Sequence, residues 1–252
     1  MSDISKLRES MKKAETHQRT IPYETPKRTY DEKLVAWFDV LGMRKKMRSS
    51  KDAEEIYILM SKLQNYVENA CEALVVEERL NYLQIGDGFI IVADLDCINE
   101  LCAILCEIQW RVLFYSNMLL RGALTAGKVS MSDDSKLIIG PAFIEAFEME
   151  SENAIYPRIL FAHEIILFLE KDFLTFTYLK QDSDHFKYLD FLNYVIDTER
   201  IKTAELEHLL KTQGVKKLLS EEYKNNIVNR RDIAQKYGWL IEKLAELKIK
   251  VI

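Results

Sequence analysis

Two acids stand where apolar sequence would be expected to run on. Asp39 closes the run Leu34-Val35-Ala36-Trp37-Phe38 and is followed by Val40, Leu41 and Gly42. Asp87 sits between Gly86 and Gly88, with Leu83 and Ile85 before it and Phe89-Ile90-Ile91-Val92 after it. By itself Gly-Asp-Gly is ordinary turn chemistry, because glycine tolerates positive φ and Asp satisfies neighbouring amides. A second carboxylate in a similar setting changes the balance: two charges at the ends of buried strands are costly unless a cation offsets them. Hard oxygen donors suit magnesium or manganese, and with few protein ligands the remaining positions are left for phosphate oxygens and water. Gly42 supplies a bend whose amides can face an anion, and Arg44, Lys45 and Lys46 add positive charge nearby.

The acids are useful only if the elements around them meet. Residues 33–41 read as a buried strand, and residues 52–74 place Ile56, Leu59, Met60, Leu63, Tyr66, Val67 and Ala70 at helical spacing. Residues 76–85 and 88–94 form a hairpin around Asp87, and 97–117 a second long helix. Strands follow at 119–130 and 136–139, then a helix at 141–152. The order strand, helix, strand, strand, helix, strand predicts an α+β fold, a ferredoxin-like split βαβ sheet covered by helices. In that topology the first strand lies beside one arm of the hairpin, so Asp39 and Asp87 share a site. The chain divides into an N-terminal arm (1–32), a core (33–161) and a mainly helical extension (162–252). In the extension, 199–227 and 230–248 carry apolar residues at helical intervals; packing back on the core is expected over a coiled-coil surface.

The whole chain of 252 residues has 48% hydrophobic and 30% charged residues, the balance of a soluble globular protein. A net charge of −5 argues against nonspecific nucleic-acid binding. Cys71, Cys97, Cys102 and Cys106 show no CxxC spacing and read as reduced core thiols. No secretory signal is evident, and no apolar segment reaches the ~20 residues that span a bilayer. A cytoplasmic protein without a membrane partner is expected.

These residues resemble the class III nucleotidyl cyclases. "WFDVLGM" (37–43) looks like that family's first metal motif and "IGDGF" (85–89) like its second. "LRGALTAGKV" (120–129) is similar to the family's strand carrying an Arg, and "IGPAFIEAFEMES" (139–151) falls on the helix that follows. "GPAFIEAFEMESENAIYPRILF" and "KYGWLIEKL" (236–244) bring the resemblance closer to the bacterial pyrimidine cyclases of the Pycsar anti-phage systems, and "HFKYLDFL" (185–192) is compatible with it. The resemblance implies a homodimer with sites at the subunit interface. Each site converts UTP or CTP to the 3′,5′-cyclic monophosphate and pyrophosphate, and a separate effector protein responds to the product.

By the same resemblance Asp39 and Asp87, helped by the Val40 carbonyl, hold two divalent cations, Mn2+ or Mg2+. The backbone of Leu41, Gly42 and Met43 holds the phosphates. The purine cyclases' transition-state Asn and Arg fall on Ile144 and Glu148, which cannot do that work, so the cation for the leaving group passes to Arg158, Arg121 or Arg44. Arg121 has an equal claim as a structural residue, and Arg158 as an ion-pair partner of Glu148 or Glu150. The base-selecting position falls on Leu83, with Gln84, Tyr82 and Trp37 as further pocket candidates. Two other readings stand beside this one: a catalytically silent nucleotide-sensing module of the same fold, and a purine cyclase with unusual base contacts.

Overall fold

The computed structural model describes residues 29–73, 79–132, 137–171, 177–199 and 201–251. The expected arm lies outside these residues as far as position 28, as do the start of the first hairpin strand before Arg79 and position 136 of the short strand.

Within them, β1 (Asp31–Val40) leads through α1 (Met43–Ser49) to α2 (Ala53–Ala73), the hairpin β2 (Leu80–Ile85) and β3 (Gly88–Ala93), and α3 (Ile98–Ser116). Next come β4 (Leu120–Met131), β5 (Ile138–Ile139), α4 (Pro141–Asn153) and β6 (Ile159–Phe161). The expected order of elements is therefore present, and the sheet order β2-β3-β1-β4 is that of a split βαβ unit. Beyond Phe161 the chain makes α5 (His163–Lys171), β7 (Leu179–Gln181), β8 (Lys187–Leu189), α6 (Phe191–Thr198), α7 (Thr203–Thr212), α8 (Val215–Asn226) and α9 (Arg231–Glu246). This stretch is not purely helical: its β8 and β7 continue the same sheet, in that order, beyond β6, while β5 pairs with β4. The helical span at 199–227 is two helices, because Gly214 adopts a left-handed φ of 78° between them.

Alternation along β1 separates two cores. Leu34, Ala36, Phe38 and Val40 join the main core with residues of α2, α3, α6 and α9. Val35 and Trp37 face the other way, where Ile90, Val92, Ala142 and Ala146 complete a smaller cluster. The small Ala142 and Ala146 side chains let α4 lie close to the sheet, and the Thr125 hydroxyl donates to the Ala142 carbonyl at 2.9 Å. Burial at both faces of β1 accounts for its continuous apolar run. All four cysteines are buried and unpaired, and burial pushes the thiols of Cys102 and Cys106 up. Among the described residues no helix is long and apolar enough to cross a membrane.

Candidate active site

The acid at the corner is explained by register. β1 and β3 run antiparallel with Asp39 opposite Gly88, so the turn residue Asp87 sits one position beyond Asp39's partner. The turn itself has two residues, with Gly86 at a φ of 64° and Asp87 at negative φ, the arrangement in which glycine takes the first central position. Gly88 lies beneath an aromatic ring: a Cβ there would come within 2.6 Å of the Trp37 indole. On the far side of β1, Asp39 is opposite Arg121 of β4. Directly opposed residues share a face of the sheet, so Asp39, Arg121, Gly88 and Trp37 all look onto the side that carries α4.

A cleft of about 880 Å³ opens at this end of the sheet. Trp37, Asp39, Val40, Asp87, Arg121 and Glu150 line its floor. Arg121 donates from Nε to Asp39 at 3.0 Å, pairs through Nη2 with Glu150 at 2.7 Å, and donates from Nη1 to the Ala154 carbonyl at 3.3 Å. Trp37 Nε1 donates to the other Glu150 oxygen at 3.3 Å. Glu150 is only 3% exposed, and burial together with the negative charges of Asp39 and Asp87 raises its pKa to about 7, against the opposing pull of Arg121. Three carboxylates thus converge on a space in which one arginine is engaged with two of them. Sequence reading considered Glu150 only as an ion-pair partner. A sharper signal was its position at the end of the series Ala142, Ala146, Glu150, the buried stripe of α4.

The turn after β1 is held from beneath. Gly42 takes a left-handed φ of 86° at the start of α1, the Leu41 N–H donates to the Leu119 carbonyl at 2.8 Å, and the Met43 side chain is fully buried in the main core. Met43 is therefore an anchor for the turn and its side chain does not reach the cleft. Leu41, Gly42, Arg44, Lys45 and Arg48 do line it.

Four other sequence candidates sit outside the cleft. Leu83 packs against the smaller apolar cluster, and the Gln84 side chain donates to the Gly86 carbonyl at 3.1 Å, bracing the hairpin. Tyr82 faces the opposite way, against the main core. Arg158 is the clearest correction: its side chain is completely buried away from the acids, ion-paired with Asp182 and Asp184 in the turn between β7 and β8 rather than with Glu148 or Glu150. The rings of Tyr156, Tyr188 and Trp239 surround its guanidinium at 5.0, 5.6 and 5.8 Å. A cation so enclosed cannot reach a ligand in the cleft.

The other wall of the cleft belongs to the C-terminal helices. Glu222 of α8 and Arg230, Asp232, Ile233, Lys236 and Tyr237 at and within α9 line it. Sequence reading assigned these residues no role. They are brought there by the Arg158 cluster: Trp239 Nε1 donates to Asp182 at 2.5 Å, and Lys243 reaches the same carboxylate at 3.4 Å.

Two carboxylates and the Val40 carbonyl are hard oxygen donors of the kind divalent cations take. Among the described residues no group of three or more His, Cys, Asp and Glu is arranged to enclose an ion. A donor set of this kind fits an ion whose remaining positions are filled by a ligand's oxygens, and such an ion would offset the paired charges of Asp39 and Asp87.

A sheet in the order β2-β3-β1-β4 with helices on both faces, carrying its acids at the end of β1 and at the β2–β3 turn, is the mixed α+β fold of class III cyclase catalytic domains. Among solved structures, the monomeric guanylyl cyclase domain of the RhoGC fusion protein from the aquatic fungus Blastocladiella emersonii superposes with a TM-score of 0.51 at 16% identity, over 64% of this chain and 95% of that one. A bacterial light-regulated adenylyl cyclase matches with a TM-score of 0.49 at 14% identity over 75% of this chain, which spans 63% of its length. No protein-family profile matches the sequence, and no curated protein matches it.

Proposed function

We propose that this chain is a metal-dependent nucleotidyl cyclase acting on a pyrimidine nucleoside triphosphate, UTP in preference to CTP, to give the 3′,5′-cyclic monophosphate and pyrophosphate. The observation that carries the reading is the convergence of Asp39 and Asp87 in one cleft of a class III cyclase fold, through the pairing of Asp39 with Gly88. Asp39, Asp87 and the Val40 carbonyl would hold two divalent cations, Mn2+ or Mg2+. Ions bound there would polarise phosphate oxygens and acidify the ribose hydroxyl.

The reaction forms one bond from the ribose 3′ oxygen to the α-phosphorus and breaks the bond from that phosphorus to the bridging oxygen of the departing pyrophosphate. Arg121 orients Asp39 through its Nε and meets negative charge at the floor of the cleft. Leu41 and Gly42 line the cleft beside Arg44 and Lys45, and this turn would receive the phosphates. Trp37 and Phe147, with ring centroids 5.6 Å apart, give the cleft an aromatic wall against which a base can lie. The choice of a pyrimidine rests on the sequence resemblance. So do the cytoplasmic location, the role in anti-phage signalling and the separate effector that would read the product. A homodimer is part of the same reading.

The deciding experiment incubates the protein with all four labelled nucleoside triphosphates and manganese and resolves the products chromatographically. A cyclic pyrimidine monophosphate is expected, lost in Asp39→Ala and in Asp87→Ala while circular dichroism and melting stay close to wild type. Full turnover by Asp87→Ala would remove the site. One observation favours a second reading, a silent nucleotide-sensing module: α4 presents an exposed Ile144, followed by Glu148, where a catalytic pair would be needed. Binding of a nonhydrolysable triphosphate without any product from the natural ones would favour that module.

A further inference from the structure

One half-buried cation of the acidic cleft makes no ion pair among the described residues, while Arg44, Lys45 and Arg48 of the same cleft are exposed to solvent. Among the described residues, Arg121 is shared between Asp39 and Glu150, and Arg230 is bound to Asp232 at 3.0 and 3.1 Å. Lys236 lines the same cleft, is half-buried, and makes no ion pair or hydrogen bond among the described residues. It extends from α9, a helix docked by the buried Arg158–Asp182–Trp239 cluster, so its backbone position is set by packing. Burial and the neighbouring charge of Arg121 both press its pKa down, against the pull of Asp232, Asp39 and Glu150. A desolvated ammonium with three unused donors is costly to keep unless an anion arrives to meet it. The acids that pull on it do not serve, because Arg121 holds Asp39 and Glu150 and Arg230 holds Asp232, while Asp87 belongs to the pair read as metal ligands.

We infer that Lys236 is a phosphate-binding residue of this site, placed by the C-terminal helix to neutralise the polyphosphate of an incoming nucleoside triphosphate. The inference rests on the cyclase reading for its choice of ligand and adds a half-buried cation from the C-terminal helix to the exposed Arg44 and Lys45 of the turn after β1. Positions 144 and 148 on α4 hold Ile and Glu and do not line this cleft, while α9 brings a cation to it from the same chain. Each protomer then carries a charge of its own for the polyphosphate. The C-terminal extension becomes part of the binding site instead of an appendage to the core.

The test is a calorimetric titration of the full chain with inorganic tripolyphosphate in the presence of manganese, which needs no turnover. Lys236→Met should weaken binding about ten- to hundred-fold, the range of a hydrogen bond to a charged group. Lys236→Arg should restore most of the affinity. Arg231→Met, which removes an exposed charge from the same helix outside this cleft, should bind as wild type does. Lys236→Gln is measured alongside, so that a folding defect in the methionine variant does not decide the result. Unchanged affinity in Lys236→Met or Lys236→Gln, or no binding by the wild type, would overturn the assignment. Lys236-dependent tripolyphosphate binding by a protein that forms no cyclic product would overturn the cyclase reading and leave this one standing.

Discussion

Asp39 shows how one residue is made tolerable at the end of a buried strand. Its carboxylate is 23% exposed, receives Arg121 from the neighbouring strand, and needs no distant partner to be stable in the free protein. Glu150 is the harder case, because burial dominates its environment and a single arginine is shared. Trp37 ties the two problems together: its N–H satisfies Glu150 while its ring covers Gly88, next to Asp87. A methyl group at position 88 would meet a ring that is hydrogen-bonded and therefore not free to retreat. Gly88→Ala is expected to cost about 1–3 kcal/mol, the usual range for overpacking, and to alter the near-ultraviolet signal of Trp37. Denaturant unfolding measures the first and near-ultraviolet circular dichroism of the folded protein the second. Wild-type stability would mean that the indole moves aside cheaply.

At the scale of elements, α9 is seated by a buried charge cluster. Burial alone would raise the Asp182 pKa, but the Trp239 N–H, the Ser183 amide and the charges of Arg158 and Lys243 outweigh it, and the carboxyl is held below its usual 3.8. A lowered folded-state pKa means that the unfolded chain binds the proton more readily. The stabilisation from Asp182 is therefore complete above the ordinary carboxylate range and is lost as pH falls through the lowered folded value. Acid should release α9, and with it Lys236, seen as a change in Trp239 fluorescence. Asp182→Asn is expected to cost about 3–5 kcal/mol at neutral pH, as breaking a buried pair does, and to flatten the acid limb of the stability curve. An unchanged acid midpoint and slope in that variant would place the anchor elsewhere.

At the scale of the whole molecule, the apolar surface is uneven. Leu137, Ile139, Ile144 and Phe147, at 59%, 48%, 55% and 47% exposure, follow one another along β5 and α4; Phe147 lines the cleft, and β5 pairs with the end of β4 away from it. Exposed apolar groups gathered in one region are a liability for a monomer and ordinary for a subunit. The dimer proposed above accounts for them. Ile144→Glu, at a position that does not line the cleft, should move the protein from dimer to monomer in sedimentation velocity and reduce cyclic-nucleotide formation while circular dichroism stays that of the folded protein. A wild-type protein that stays monomeric at high concentration would remove this role for the patch.

What the sequence by itself determined is local: two acids ending apolar strands, glycines at the turns, and helical periods in α2, α3 and α4. From these the split sheet and the meeting of Asp39 with Asp87 follow, because strand register and a two-residue turn are short-range consequences of side-chain type. Arg158 was misread because its partners come from a turn that follows it by more than twenty residues and from α9, and nothing near Pro157 announces either. Glu150 was half legible, through the spacing of Ala142 and Ala146, but its shared arginine lies on another element. Only the tertiary structure decided that α9 walls the cleft and that Lys236 makes no ion pair among the described residues. Charge pairing and desolvation depend on which surfaces come together, and chain separation does not encode that.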